Sequence, residues 1–157
     1  MLATTRKDGS PYTSPVWFRW ASEAFEIVIA LGDVKLRHLE RDRRCSLLVF
    51  EAVPPFRGVE VRGEATLTHC DVTEIRRSIA GRYLGPEGGK RFAAARKDRP
   101  GVLLQLVPVE PRVWDLGGPA SGLALRQAQR LASPKRTVFT RPPTRKVNGT
   151  QAERERR

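Results

Sequence analysis

A mainly β fold is what the sequence predicts: six to seven mostly antiparallel strands closed into a barrel, with α insertions. Three observations carry this. Apolar and polar residues alternate with a period of two through most of the first three quarters of the chain. Only two stretches, after Gly32 and after Cys70, change to helical spacing. Apart from those, the links between strand runs are short, which favours antiparallel neighbours. A sheet that long in so small a domain removes its exposed edges by closing on itself.

The elements follow in order. Leu2–Arg6 opens as a short strand, and Asp8-Gly9 supplies a turn with positive φ. Tyr12–Trp20 alternates next, with Tyr12, Ser14, Val16, Phe18 and Trp20 on one face. Pro15 has no N–H to donate, so it marks an edge or a bulge within that run. Phe25–Leu31 forms the third strand, with Phe25, Ile27, Ile29 and Leu31 sharing a face. Asp33 is placed as an N-cap, and Val34–Arg41 reads as a short helix turning Leu36 and Leu39 inward. Arg44–Glu51 returns to strand, and Pro54-Pro55 breaks it. Gly58–Thr68 is the cleanest alternation: Val59, Val61, Gly63, Ala65 and Leu67 face one way, Glu60, Arg62, Glu64, Thr66 and Thr68 the other. Asp71–Leu84 repeats Val72, Ile75, Ile79 and Tyr83 at helical spacing, with Asp71 as N-cap; Gly85-Pro86 ends it, and a second helix runs from Pro86 through Lys97. Val102–Val107 and Arg112–Leu116 complete the strands.

The 157 residues suit one folded domain, expected over 1–118, followed by a basic tail over 119–157. Of the net charge of +12, residues 1–118 hold 19 Lys and Arg against 15 Asp and Glu, and the tail holds 10 against 2. The tail is poor in large apolar residues, so it reads as disordered, with a short helix at 123–131. A basic arm of this kind touches nucleic acid only through non-specific phosphate contacts, and nucleic acid is not expected as a specific partner. His69 and Cys70 are adjacent and point apart on a strand, so no metal site is expected. No signal peptide or long apolar run is visible, which places the expected location in the cytoplasm without a membrane partner.

Six segments in order resemble the pyridoxamine 5′-phosphate oxidase-like family, above all its coenzyme F420 (deazaflavin) branch. They are Leu2-Ala3-Thr4 with Asp8-Gly9-Ser10-Pro11; Ser14-Pro15-Val16-Trp17-Phe18; Val34-Lys35-Leu36-Arg37-His38-Leu39 with Arg41-Asp42; Val59-Glu60-Val61-Arg62-Gly63; Arg82-Tyr83-Leu84-Gly85; and Arg112-Val113-Trp114-Asp115-Leu116. The resemblance implies a split β-barrel of the FMN-binding-protein type. It also implies a homodimer with cofactor sites at the interface. The implied activity is an oxidoreductase passing hydride from coenzyme F420 to a conjugated organic substrate such as a quinone, enone or tetrapyrrole. FMN as the cofactor, or a non-catalytic cofactor or tetrapyrrole carrier, are the alternatives. The family carries a helix before its first strand, whereas Met1 here opens directly into that strand.

The resemblance also assigns residues. Lys35 and Arg37 would hold the cofactor phosphate, Ser14, Val16 and Trp17 would line the ring, and Ile29, Ala30 and Leu31 would pass under the ribityl chain. Arg62 and the Arg112 or Trp114 of a second protomer would finish the site. Local chemistry agrees in kind: cationic side chains at a helix start suit phosphate, and an apolar strand suits a flat ring. Taken singly, Trp17, Trp20 and Trp114 read more readily as core or interface than as cofactor contacts, Lys35 and Arg37 as an ordinary helix face, and Arg62 as a partner of Glu60 or Glu64. His38 stands where the family usually has Asn and reads as a surface or capping substitution. No catalytic residue is assigned, because hydride chemistry belongs to the cofactor.

Overall fold

The computed structural model describes residues 1–116. Nine strands and two helices are assigned among them: β1 Leu2–Thr5, β2 Pro11–Ser14, β3 Arg19–Ala21, β4 Ala24–Ala30, α1 Val34–Arg41, β5 Arg44–Phe50, β6 Gly58–Glu64, β7 Thr66–His69, α2 Thr73–Ala94, β8 Gly101–Leu106 and β9 Arg112–Trp114. They form two sheets, β2-β1-β5-β6-β9 and β3-β4-β8-β7. Every strand pair is antiparallel. The tail with its expected helix at 123–131 lies outside the described residues.

Nine strands replace the expected six or seven because two long runs are each cut where the chain passes between sheets. Tyr12–Trp20 is β2 in one sheet and β3 in the other, joined by residues 15–18. Pro15 ends the first ladder there, since it has no N–H to offer a neighbour. Gly58–Thr68 divides at Ala65 into β6 and β7. Ala65 is 4% exposed, and its N–H bonds to the Arg43 carbonyl at 2.8 Å, so the corner is buried and satisfied. Alternation survives such a corner because the inward side chains stay inward, which is why the sequence shows one strand and the structure two.

The inner faces of both sheets and one side of α1 meet in one core of Leu2, Ile27, Ile29, Leu36, Leu39, Leu47, Val61, Val102, Leu104 and Leu106, with lesser members around them. Leu36 and Leu39 are almost wholly buried, each worth roughly 2 kcal/mol of apolar transfer. They tie the eight-residue α1 to the barrel. Asp33 caps it as expected, accepting the Lys35 N–H at 3.0 Å from an extended backbone. Trp20 and Leu31, placed inward by alternation, are 51% and 55% exposed, because β3 is short and the chain turns after Ala30.

His38 is not a surface group. It is 7% exposed, shares a 3.1 Å hydrogen bond with the Thr4 hydroxyl and meets Tyr12 edge to face.

The α2 span is two helical limbs joined at Gly85, where φ is 74° and ψ 166°. Gly85 permits that reversal because it has no side chain to clash at positive φ. The limbs then press together. A Cβ on Gly89 would lie 2.6 Å from the Gly81 nitrogen and 2.7 Å from the Arg77 carbonyl oxygen. The expected start and end both shift. The N-cap position is Val72, with Asp71 instead accepting the Thr73 N–H at 2.9 Å, and the second limb stops at Ala94, not Lys97.

Candidate functional site

One cleft of about 420 Å³ opens between the 15–17 segment, β4, the start of α1 and the folded α2 limbs. Its walls are Pro15, Val16, Trp17, Val28, Ile29, Ala30, Ile79 and Phe92; its polar lining is Lys35, Arg76, Arg96 and Arg99. No carboxylate is among the lining residues. An apolar slot with a few convergent cations is the expected form of a site for a flat, anionic ligand.

Three of the four cations are placed by different local devices. Lys35 stands on the first turn of α1 and pairs with the carboxylate of Asp33. Burial works to raise the Asp33 carboxyl, but the Lys35 ammonium and N–H, with the charge of Arg37, hold it below its ordinary range. Arg76 is 7% exposed. Its Nη1 donates to the Arg96 carbonyl at 2.9 Å and its Nη2 to the Arg99 carbonyl at 2.8 Å. Burial, with the nearby charge of Arg96, pulls its pKa below the usual guanidinium value, and Asp71 opposes this. The head of Arg76 passes over Gly101, where a Cβ would come within 3.1 Å of Nη2. The Arg96 guanidinium carbon stands over Phe92, 3.8 Å from the ring centroid.

The aromatic wall is held from behind. Trp17 stacks on Tyr83 with centroids 5.0 Å apart and planes 10° apart, and tilts against Phe92 at 5.1 Å. The Tyr83 hydroxyl accepts the Phe18 N–H at 3.2 Å, and Arg82 donates to the Phe18 carbonyl at 3.4 Å. The first limb of α2 thus clamps the segment that crosses between the sheets.

Of the residues singled out in the sequence, Val16, Trp17, Ile29, Ala30 and Lys35 converge on this cleft. Ser14 is buried beside it in the chain, its hydroxyl without a hydrogen-bond partner. Leu31 and Arg37 are exposed and outside the lining. Arg62 and Arg112 gather on the other sheet, sharing a shallow concavity of about 330 Å³ with Glu60 and Glu110. There Arg62 forks onto Glu60 with contacts of 2.9 and 3.0 Å, as the plain reading of that strand allowed. Trp114 stands opposite Gly58 in the β6–β9 ladder, and its ring fills the space a Cβ on Gly58 would need. Within one protomer these two sets line separate surfaces.

Sequence reasoning missed Arg76, Ile79, Phe92, Arg96 and Arg99. Only the run of cations from Arg91 to Arg99, following an amphipathic helix, hinted at them. Among the described residues no group of three His, Cys, Asp or Glu is placed to hold a metal, and no helix is long and apolar enough to cross a membrane.

Fold and cleft together define a two-sheet barrel protein with an apolar cleft lined by four cations. The chain belongs to the pyridoxamine 5′-phosphate oxidase family, whose sequence profile matches residues 1–115. The fold is the split barrel of its FMN-binding members. A conserved hypothetical protein of Mycobacterium tuberculosis superposes with a TM-score of 0.62 at 26% identity, over 75% of this chain and 79% of that one. An F420 reductase superposes at 0.57 and 22% identity, over 71% of this chain and 86% of its own. A pyridoxamine 5′-phosphate oxidase-related, FMN-binding protein of Nostoc punctiforme gives 0.54 and 19%, over 74% and 73%. Haem-binding proteins are also among the structural neighbours. No protein curated for its function matches the chain.

Proposed function

We propose that this protein is a coenzyme F420-dependent oxidoreductase that reduces a conjugated organic substrate, with the cofactor seated in the cleft. The observation that carries the reading is the lining itself: four cations, no carboxylate, and a tryptophan and a phenylalanine along one apolar slot. Lys35 would meet the cofactor phosphate, exchanging its Asp33 partner for a charge-assisted bond to the ligand. Trp17 and Phe92 would wall the ring. Residues 15–18 lie outside both ladders; with the Phe18 N–H and carbonyl held by Tyr83 and Arg82, the peptide groups of Val16 and Trp17 are the ones that would meet a ring edge. Ile29 and Ala30 would support the chain that joins ring to phosphate. The cofactor supplies two-electron hydride transfer; the protein orients the ring and keeps water from one face.

FMN is the second reading, supported by the FMN-binding neighbour and by a phosphate end that serves either cofactor. The sequence's resemblance to the F420 branch, with an F420 reductase among the structural neighbours, supports the deazaflavin as the first reading. A haem carrier is less well supported, because none of the described lining residues is a His, Cys, Met or Tyr able to bind iron axially. We also propose a homodimer, in which Arg62, Arg112 and Trp114 of one protomer approach the cleft of the other. Phe50, Val53, Phe56 and Val109, all 46–65% exposed, are the apolar surface such a contact would cover.

The test is titration of the purified protein with coenzyme F420 and with FMN, followed by fluorescence. Saturable binding of one, weakened about tenfold or more in Lys35→Ala, is the expected result. Equal affinity in that variant moves the phosphate site elsewhere, and turnover of reduced cofactor with an artificial acceptor separates an enzyme from a carrier.

A further inference from the structure

We propose that the α2–β8 corner is a second anion subsite, built by Arg96 and Arg99 and held in shape by Arg76, so that the cleft reads a ligand pair carrying negative charge at two places. The inference deepens the reading above and rests on it for the position of the first anion at Lys35.

The argument begins with Arg76. As a whole residue Arg76 is more than nine-tenths buried, and a charge so largely withdrawn from water needs a compensating partner; among the described residues it makes no ion pair, although Asp71 acts on it at longer range. Both of its bonded nitrogens instead hold main-chain carbonyls, those of Arg96 and Arg99. Those bonds fix the backbone from which the other two guanidiniums project into the same cleft. Arg96 is restrained further, lying over the Phe92 ring. Three positive charges are therefore brought together on rigid backbone, beside an apolar wall, with no carboxylate in the lining. The charge of Arg96 already weighs on Arg76, and an anion at the corner offsets it. Lys35 differs, since Asp33 already neutralises it in part. The unmet positive charge is thus greater at the corner than at the α1 end.

A planar fork beside an aromatic ring suits a carboxylate or a phosphate oxygen pair. Two sources offer that chemistry: the acidic tail of the deazaflavin, or an acidic group on the substrate bound beside the ring.

The experiment uses the full chain with Arg96→Ala and Arg99→Ala combined. Arg76 bonds to the carbonyls of these residues, which alanine retains, so the corner should persist; a retained cooperative thermal transition checks this. Affinity is measured for coenzyme F420 with its glutamate tail, for F420 lacking the glutamates, and for pyrophosphate titrated into the protein with and without cofactor. Loss of about tenfold or more for the tailed cofactor, with the shorter one little changed, supports the subsite and assigns it to the tail. Equal cofactor affinities with a similar loss of pyrophosphate binding to the loaded protein support it and assign it to the substrate. No change in any arm overturns it. If neither F420 nor FMN binds the wild type, the cofactor reading fails separately, and arginine-dependent pyrophosphate binding to the chain alone still upholds the subsite.

Discussion

The contact between the two limbs of α2 makes opposite predictions for the two glycines that form it. In Gly89→Ala the new Cβ meets main-chain atoms of Gly81 and Arg77 at 2.6–2.7 Å. Ordinary contact begins near 3.4 Å, so the limbs must part by about 0.7 Å against backbone that has no rotamer to yield. Overpacking of this kind costs about 1–3 kcal/mol, while alanine in a helix recovers roughly 0.5–1 kcal/mol. The net expectation is a destabilisation of up to about 2.5 kcal/mol, centred on roughly 1 kcal/mol. A Cβ on Gly81 meets nothing within 4 Å. Gly81→Ala therefore keeps only the helix term and stabilises by about 0.5–1 kcal/mol. Urea unfolding of both variants measures the two signs side by side. Because Phe92 stands on the displaced limb and Arg96 follows directly after it, Gly89→Ala should also weaken cofactor binding, and Gly81→Ala should not. Equal shifts in stability, or a neutral Gly89→Ala, would refute the packed-limb argument.

Other expectations concern charge. Asp33→Asn keeps the N-cap, since Asn caps as well as Asp, but frees Lys35 from its carboxylate. Phosphate-bearing cofactor should bind severalfold more tightly, and helix stability should change little; weaker binding would show that Asp33 orients Lys35 rather than competing for it. His38 is held below its ordinary pKa of 6.5 by burial and by the charges of Arg41, Arg6 and Arg37, with Asp33 opposing. The folded state thus disfavours the imidazolium. The neutral-histidine contribution is complete above pH 6.5 and is lost as pH falls from there towards the lower folded value, at no more than about 1.4 kcal/mol per pH unit. Urea midpoints at pH 7.5 and 5.5 should diverge in the wild type and converge in His38→Asn. Tyr83→Phe removes the hydroxyl that takes the Phe18 N–H while keeping the stack on Trp17. It should cost about 1 kcal/mol of stability, with cofactor affinity falling only if the crossing segment shifts.

How much of this was legible beforehand depends on the range of the cause. The strand alternation, the α1 helix with its Asp33 cap, and the Gly85 break are local matters of period, side-chain hydrogen bonding and backbone freedom, and all were readable in the sequence. So was half of the cleft, because Val16, Trp17, Ile29, Ala30 and Lys35 lie on elements whose order and facing follow from those patterns. The breaks at Pro15 and Ala65 were hidden, since a run that keeps its inward face through a corner looks like one strand. The other half of the cleft was hidden too. Arg76 and Arg96 are twenty positions apart, and nothing in their spacing says that one guanidinium will grip the other's carbonyl. Sequence alone determined which surfaces are apolar and where the chain can turn. Tertiary structure decided which cations meet, because that depends on two helical limbs closing over a gap only glycine leaves open.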